Sequence, residues 1–280
     1  MISKMSLPKI LVIQPRWGIG DMIWHLPYIR ALARRAQGGQ ITVLTKSKAN
    51  AKAWLAHEPS IKEIRYLDRR GMMRTGLNLR SERFDEAWIF HTSFSYAAVA
   101  RLAGIPKCIG PGYKNQRFLT TNKPLESHVF EKVHVAQMVD LMGSQDIELL
   151  EKDQLLLLED NAVSFVDQHF SSYPKPWVTL GLGASEIYKI WSQDSFVQLS
   201  EMLKQQGAGT FMVCGSPAEK EAVESLTQRM NANDINAVAV HSLNLPQVFA
   251  LLSQANLFVG NDSGLLNASV CVGVESIGLF

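Results

Sequence analysis

Two patterns of apolar and polar positions recur along this chain: short runs rich in β-branched residues, and longer stretches with apolar residues three or four apart. The first short run, residues 10–13, ends in Pro15-Arg16-Trp17-Gly18-Ile19-Gly20-Asp21, after which helical periodicity continues to Arg35. Further strands are expected at 41–44, 64–67 and 86–90, and helices at 49–56 and 129–141. Residues 107–124 read as an irregular loop carrying Lys107, Lys114, Arg117 and Lys123 around Gly110-Pro111-Gly112-Tyr113. A helix over 161–170 leads into Ser171-Ser172-Tyr173-Pro174-Lys175-Pro176, and there the rhythm restarts. Strands follow at 177–182, 210–214, 237–240, 257–259 and 276–280, with helices at 195–206, 218–230, 246–253 and 263–272.

Strands that alternate with helices in this way imply parallel βαβ units. The expectation is an α/β protein of two doubly wound domains, residues 1–172 and 173–280. In such sheets ligands sit beyond the carboxyl ends of the strands, so a cleft between two facing domains is the expected active site. The sequence stops on an apolar strand at Phe280, which reads either as a short protein or as a second domain lacking its closing segment.

Composition adds mainly exclusions. The 280 residues are 46% hydrophobic and 19% charged, as in ordinary soluble proteins, and 28 Lys and Arg against 26 Asp and Glu leave too weak a field to gather nucleic acid. Cys108, Cys214 and Cys271 are odd in number and widely spaced, which supports neither a disulfide framework nor a zinc site and fits reduced thiols in the cytoplasm. The seven histidines show no ligand spacing, so no metal is expected. Residues 1–9 lack the apolar stretch of a signal peptide, and no apolar run reaches the roughly 18 residues of a membrane span. A cytoplasmic protein follows, at most resting on the inner face of a membrane.

Four segments carry candidate chemistry. In Gly18-Ile19-Gly20-Asp21 the glycines permit positive φ and close backbone approach, and Asp21 reads either as a helix cap or as a carboxylate able to take a proton from an acceptor hydroxyl. The run Gly183-Ala184-Ser185-Glu186-Ile187-Tyr188-Lys189-Ile190-Trp191 follows a strand, which brings Ser185 and Lys189 to the ligand edge, the lysine as a point charge for phosphate. Glu219, expected one turn into a helix, is within reach of a ribose hydroxyl or is simply a first-turn acid favoured by the helix dipole. In Val259-Gly260-Asn261-Asp262-Ser263-Gly264 a strand opens a helix through small polar residues, which makes either a diphosphate site or a plain cap. Neither Gly18-Ile19-Gly20 nor Gly181-Leu182-Gly183 continues to the third glycine of a dinucleotide fingerprint, since Ile23 and Glu186 stand there. Trp17, Trp24 and Trp191 are expected in a cleft or in the core, Trp24 in the core.

In order and spacing these segments resemble glycosyltransferase family 9, the lipopolysaccharide heptosyltransferases, from Lys9 to Phe280. The resemblance implies the GT-B fold and an inverting transfer of a sugar from a nucleotide-sugar donor, with ADP-heptose as the usual donor and the anionic lipopolysaccharide core as the acceptor. It implies Asp21 as general base, Lys189 as the phosphate-binding lysine, Ser185 near the diphosphate, Glu219 on the ribose, and Asp262, Ser263 and Gly264 as the donor loop, without any cofactor. Asn267 stands where the family commonly has histidine, which keeps hydrogen bonding and loses the cationic form. Arg69, Arg70, Arg74, Lys114 and Arg117 are the candidate contacts to acceptor phosphates. The alternative reading, favoured by Asn267 and the early C-terminus, is a non-catalytic nucleotide-sugar-binding or scaffold protein.

Overall fold

The first apolar run forms β1 (Ile10–Ile13), buried at every position, and α1 (Ile19–Ala33) follows it. The computed structural model describes residues 6–67, 71–184 and 186–280, with only the backbone at Ile187. Strands β2 (Ile41–Thr45), β3 (Ile61–Tyr66), β4 (Glu86–Ile89) and β5 (Lys107–Ile109) join β1 in a parallel sheet of order β3-β2-β1-β4-β5. Strands β6 (Trp177–Gly181), β7 (Thr210–Cys214), β8 (Ala237–Val240), β9 (Leu257–Asn261) and β10 (Ser276–Leu279) form a second parallel sheet of order β10-β9-β6-β7-β8. The connections carry α2 (Met72–Leu79), α3 (Phe94–Leu102), α4 (His134–Gly143), α5 (Asp160–Phe170), α6 (Gln193–Gln205), α7 (Lys220–Ala232), α8 (Leu245–Ser253) and α9 (Gly264–Cys271). Each sheet reverses its strand order beside its first strand, between β1 and β4 and between β6 and β9, which is where doubly wound sheets open a crevice for ligands.

The apolar runs read so plainly because the strands are covered on both faces. In β7, Phe211 and Val213 pack with Leu226 and Met230, while Met212 and Cys214 pack with Val166 and Leu251.

The chain divides into compact units Met1–Gln154 and Leu155–Phe280, one helix earlier than the boundary expected after residue 172. The reason lies in α5, whose Ala162 and Val166 pack with Trp177, Met212 and Leu251, and whose Asp167 accepts a hydrogen bond from Gln254 at 2.8 Å. Residues 151–154 stay with the first unit because Arg30 donates to the Asp153 carbonyl at 2.7 Å and Arg34 pairs with the Asp153 carboxylate at 2.7 Å.

Other departures are local. The helix expected at 49–56 is two short 3₁₀ turns, because Asn50 between them adopts left-handed φ 46°. The segment expected as an irregular basic loop holds β5 and a 3₁₀ turn at Lys114–Phe118, pinned by the buried Gln116. That side chain accepts from the Gly112 amide at 2.8 Å and donates to the His91 carbonyl at 2.7 Å. The helix expected at 129–141 is a 3₁₀ turn, Ser127–Glu131, followed by α4. Trp24 is 45% exposed, because α1 turns Met22, Ile23, His25 and Leu26 inward and leaves position 24 outside. Among the described residues no helix is long and apolar enough to cross a membrane.

Candidate active site

At the switch point of the second sheet, Gly181 of β6 pairs with Gly260 of β9, so the segments leaving these strands start side by side. Lys189 reaches across from the first to the second: its Nζ lies 2.7 Å from Asp262 Oδ2 and 3.5 Å from Glu186 Oε2. The hydrogen bond to Asp262 is the main cause that raises the lysine pKa. Asn261, fully buried, fixes the geometry by donating to the Leu182 carbonyl at 2.7 Å and accepting from the Trp191 amide at 3.1 Å. Sequence reasoning gave Asn261 no role; its place at a strand end beside Asp262 was the available signal.

The plain-cap reading of the Asp262-Ser263 turn fails. The Asp262 carboxylate is turned to Lys189, and Ser263, at the N-cap of α9, makes no side-chain cap bond. Its Oγ is shielded from solvent without a hydrogen-bond partner. Gly264 opens the helix, whose first-turn amides have no intrahelical acceptors and form a natural anion site. Asn267 donates to the Ser263 carbonyl at 2.9 Å, so its amide is used within the first turn of α9.

Glu219 lies before α7 at its N-cap rather than a turn inside it. Its Oε2 accepts from the Ser216 amide at 2.6 Å, and the carboxylate lies close to Gly183 and Gly215, just beyond β6 and β7. A Cβ on Gly183 would stand 2.7 Å from Glu219 Oε1, and one on Gly215 would stand 3.3 Å from Oε2, so both glycines make room for this side chain. Ser185 lies outside the described residues. Lysine, hydroxyl and helix N-terminus suit a diphosphate, and a carboxylate beside them suits vicinal hydroxyls.

In the first unit the corresponding switch point carries Asp21. Gly18 caps α1 in an extended conformation, so the positive φ expected of this loop is not used there; close approach is, since a Cβ on Gly18 would stand 2.7 Å from Asp21 Oδ2. Gly20 is buried inside the helix. Asp21 occupies the third helical position, not the cap; it accepts from the Gly18 amide at 3.3 Å and faces Arg16 Nη1 at 3.8 Å. Behind it, His25 hydrogen-bonds the Asp21 carbonyl, stacks on Phe90 at 5.3 Å and lies 5.4 Å from His134, which in turn is 6.3 Å from His91. Burial, aided by the charge of Arg16, pulls the pKa of His25 down to about 4, of His91 to about 4 and of His134 to about 3, so all three are neutral at neutral pH. No spacing of the histidines along the chain announces this cluster.

Of the candidate acceptor contacts, Arg74 is exposed on α2, Lys114 lies 5.1 Å from the Tyr113 ring and Arg117 lies 5.0 Å from the Phe118 ring. Arg69 and Arg70 lie outside the described residues. Among the described residues no three His, Cys, Asp or Glu side chains gather as a metal site would require.

The model of glycosyltransferase family 9 (heptosyltransferase) matches residues 72–280. The chain belongs to glycosyltransferase family 9. It is therefore a glycosyltransferase of the heptosyltransferase type, and its paired parallel sheets are the two Rossmann-like domains of the GT-B fold. Among characterised family members, lipopolysaccharide heptosyltransferase 2 of Salmonella typhimurium is 26% identical over 97% of this chain and 82% of its own length. The solved E. coli ADP-heptose lipopolysaccharide heptosyltransferase II superposes with a TM-score of 0.77 at 24% identity, covering 96% of this chain and 84% of that one. The E. coli heptosyltransferase WaaC bound to ADP-2-deoxy-2-fluoro heptose superposes with a TM-score of 0.68 at 16% identity, covering 96% and 88%.

Proposed function

We propose that this family 9 enzyme transfers a heptosyl group, with inversion, from an ADP-linked donor to a hydroxyl of a lipopolysaccharide core at the cytoplasmic face of the inner membrane. The observation that carries the reading is the Lys189–Asp262 pair at 2.7 Å beside the unpartnered Ser263 hydroxyl and the N-terminus of α9. Lysine, hydroxyl and amides form an anion site held shut by an internal carboxylate. An incoming diphosphate takes over Lys189, and Asp262 is released toward the sugar. Relatives of this chain carry ADP-heptose or lipopolysaccharide in their names, which supports this choice of donor and acceptor.

In this reading residues 155–280 hold the donor and the first unit holds the acceptor. The acceptor oxygen attacks the anomeric carbon from the side opposite the diphosphate and its proton passes to Asp21, while the bond to the phosphate oxygen breaks. Lys189 and the α9 amides stabilise the negative charge growing on the departing nucleoside diphosphate, and Glu219 Oε1 takes a ribose hydroxyl. The capping bond from Gly18 and the nearby Arg16 guanidinium hold the Asp21 carboxylate oriented for that proton.

The test is Asp21→Asn. The variant is expected to bind ADP as the wild type does and to lose transfer by at least about a hundredfold, the lower range for a missing general base. Transfer at the wild-type rate removes Asp21 from that role.

A further inference from the structure

We propose that the loops leaving β1 and β2 form a subsite for an acidic sugar of the acceptor, with Trp17 as the stacking face and Arg16, Lys46 and Lys48 as the groups that meet its anionic oxygens. The proposal rests on the reading of the first unit as the acceptor-binding unit.

Strands β1 and β2 are parallel neighbours, with Ile13 opposite Leu44, so Arg16 and Trp17 leave the sheet next to Lys46 and Lys48. The two exits are fastened by buried polar contacts: the Gln14 amide donates to the Leu44 carbonyl at 2.9 Å, and Thr45 Oγ1 donates to Gln14 Oε1 at 3.2 Å. A subsite built on them inherits the rigidity of the sheet.

Trp17 is 50% exposed. So large an apolar ring facing water beside a candidate base is better explained by a ligand than by packing, and the C–H face of a sugar ring is the chemistry that pairs with an indole next to polar groups. Lys48 Nζ lies over one face of that ring, 3.9 Å from its centre, which puts an ammonium directly against the stacking residue.

Arg16 has unused capacity. It has five N–H donors. Its approach to Asp21 at 3.8 Å is longer than a hydrogen bond, and its Nε is shielded from water without a partner. A planar fork held in this way suits a carboxylate or a phosphate on the bound sugar. Arg16 and Lys46 both help to keep His91 unprotonated, so both charges act on the same ring. With the histidines neutral, the described residues brought together at these exits include three cations, Arg16, Lys46 and Lys48, and the carboxylate of Asp21. An acceptor anion offsets that excess and leaves the hydroxyl to be deprotonated close to Asp21.

Carboxylate and phosphate share this chemistry, so the probe separates them. Binding of deacylated lipopolysaccharide core oligosaccharide to the full chain is measured calorimetrically without donor, using native, carboxyl-amidated and dephosphorylated forms. The native form is expected to bind, and Trp17→Ala, Lys48→Ala and Arg16→Gln are each expected to weaken it about tenfold. The form whose binding falls to the same level in wild type and in Lys48→Ala identifies the anion. Wild-type affinity in Trp17→Ala and Lys48→Ala, equal binding of all three forms, or no binding of the native form overturns the subsite. The rise in melting temperature with ADP reads the donor half separately. Loss of that rise with the oligosaccharide pattern intact rejects the proposed donor and keeps the subsite, while the reverse result rejects the subsite alone.

Discussion

Acid should loosen the first unit chiefly through His25. The ring is 1% exposed, and its Nδ1 bonds to the Asp21 carbonyl while Nε2 is enclosed without a partner. Burial first, then the charges of Arg16 and His91, lower its pKa from 6.5 to about 4, against the opposing pull of the Asp21 bond. The unfolded chain takes up this proton near 6.5, so between 6.5 and about 4 it binds more protons than the folded chain, and stability falls as the pH falls. Integrated from pH 7 to about pH 4.5, His25 alone removes about 2 kcal/mol. His91 and His134, lowered to about 4 and about 3, act in the same direction but are partly open to water and count for less. The assay is urea unfolding at the two pH values, with amide exchange in β1 and α1 assigning the loss to this unit. His25→Gln lowers stability at neutral pH and flattens its pH dependence by about 2 kcal/mol. An unaltered pH dependence in that variant, or a His25 titration near its ordinary value, rules out His25 as the source of the acid lability.

Gly183→Ala puts a methyl group 2.7 Å from Glu219 Oε1 and should displace that carboxylate, weakening ADP about tenfold in a titration while the melting temperature stays close to wild type. Asn261→Ala strands the buried Leu182 carbonyl and frees the Trp191 amide, so unfolding of the second unit should need roughly 1–3 kcal/mol less and ADP should bind more weakly because the Lys189 segment loses its tie. Glu58→Ala removes the carboxylate that pairs with the buried Arg30 at 2.7 Å and should cost the first unit roughly 3–5 kcal/mol by urea unfolding, with no change in ADP affinity.

Much of this was legible because parallel strands covered on both faces are continuous apolar runs. Ile10–Ile13 and Thr210–Cys214 declare themselves in that way. What escaped was set by distant partners. Helix α2 was not among the expected elements, and its Gly76 is where α3 comes close: a Cβ there would stand 2.8 Å from Leu102 Cβ and 2.9 Å from the Val99 carbonyl. The run at 49–56 has helical composition, and one left-handed Asn50 divides it. At the site, strand ends followed by small polar residues marked Lys189, Glu219 and Asp262 locally. The pairing of Lys189 with Asp262 across 73 positions, the hold of Asn261 on the intervening segment and the histidines behind Asp21 depend on which strands become neighbours, which no local pattern states.

We propose the Lys189–Asp262 pair and the N-terminus of α9 as the seat of an ADP diphosphate. Melting of the wild type and of Lys189→Ala across ADP, UDP, GDP and CMP tests it directly, since a ligand that binds only the folded chain raises its melting temperature. A selective rise with ADP is expected in the wild type, with an affinity about ten- to a hundredfold weaker in Lys189→Ala, where Asp262 is left unpaired against the incoming phosphates. A rise with another nucleotide and none with ADP, or equal rises in both proteins, contradicts it.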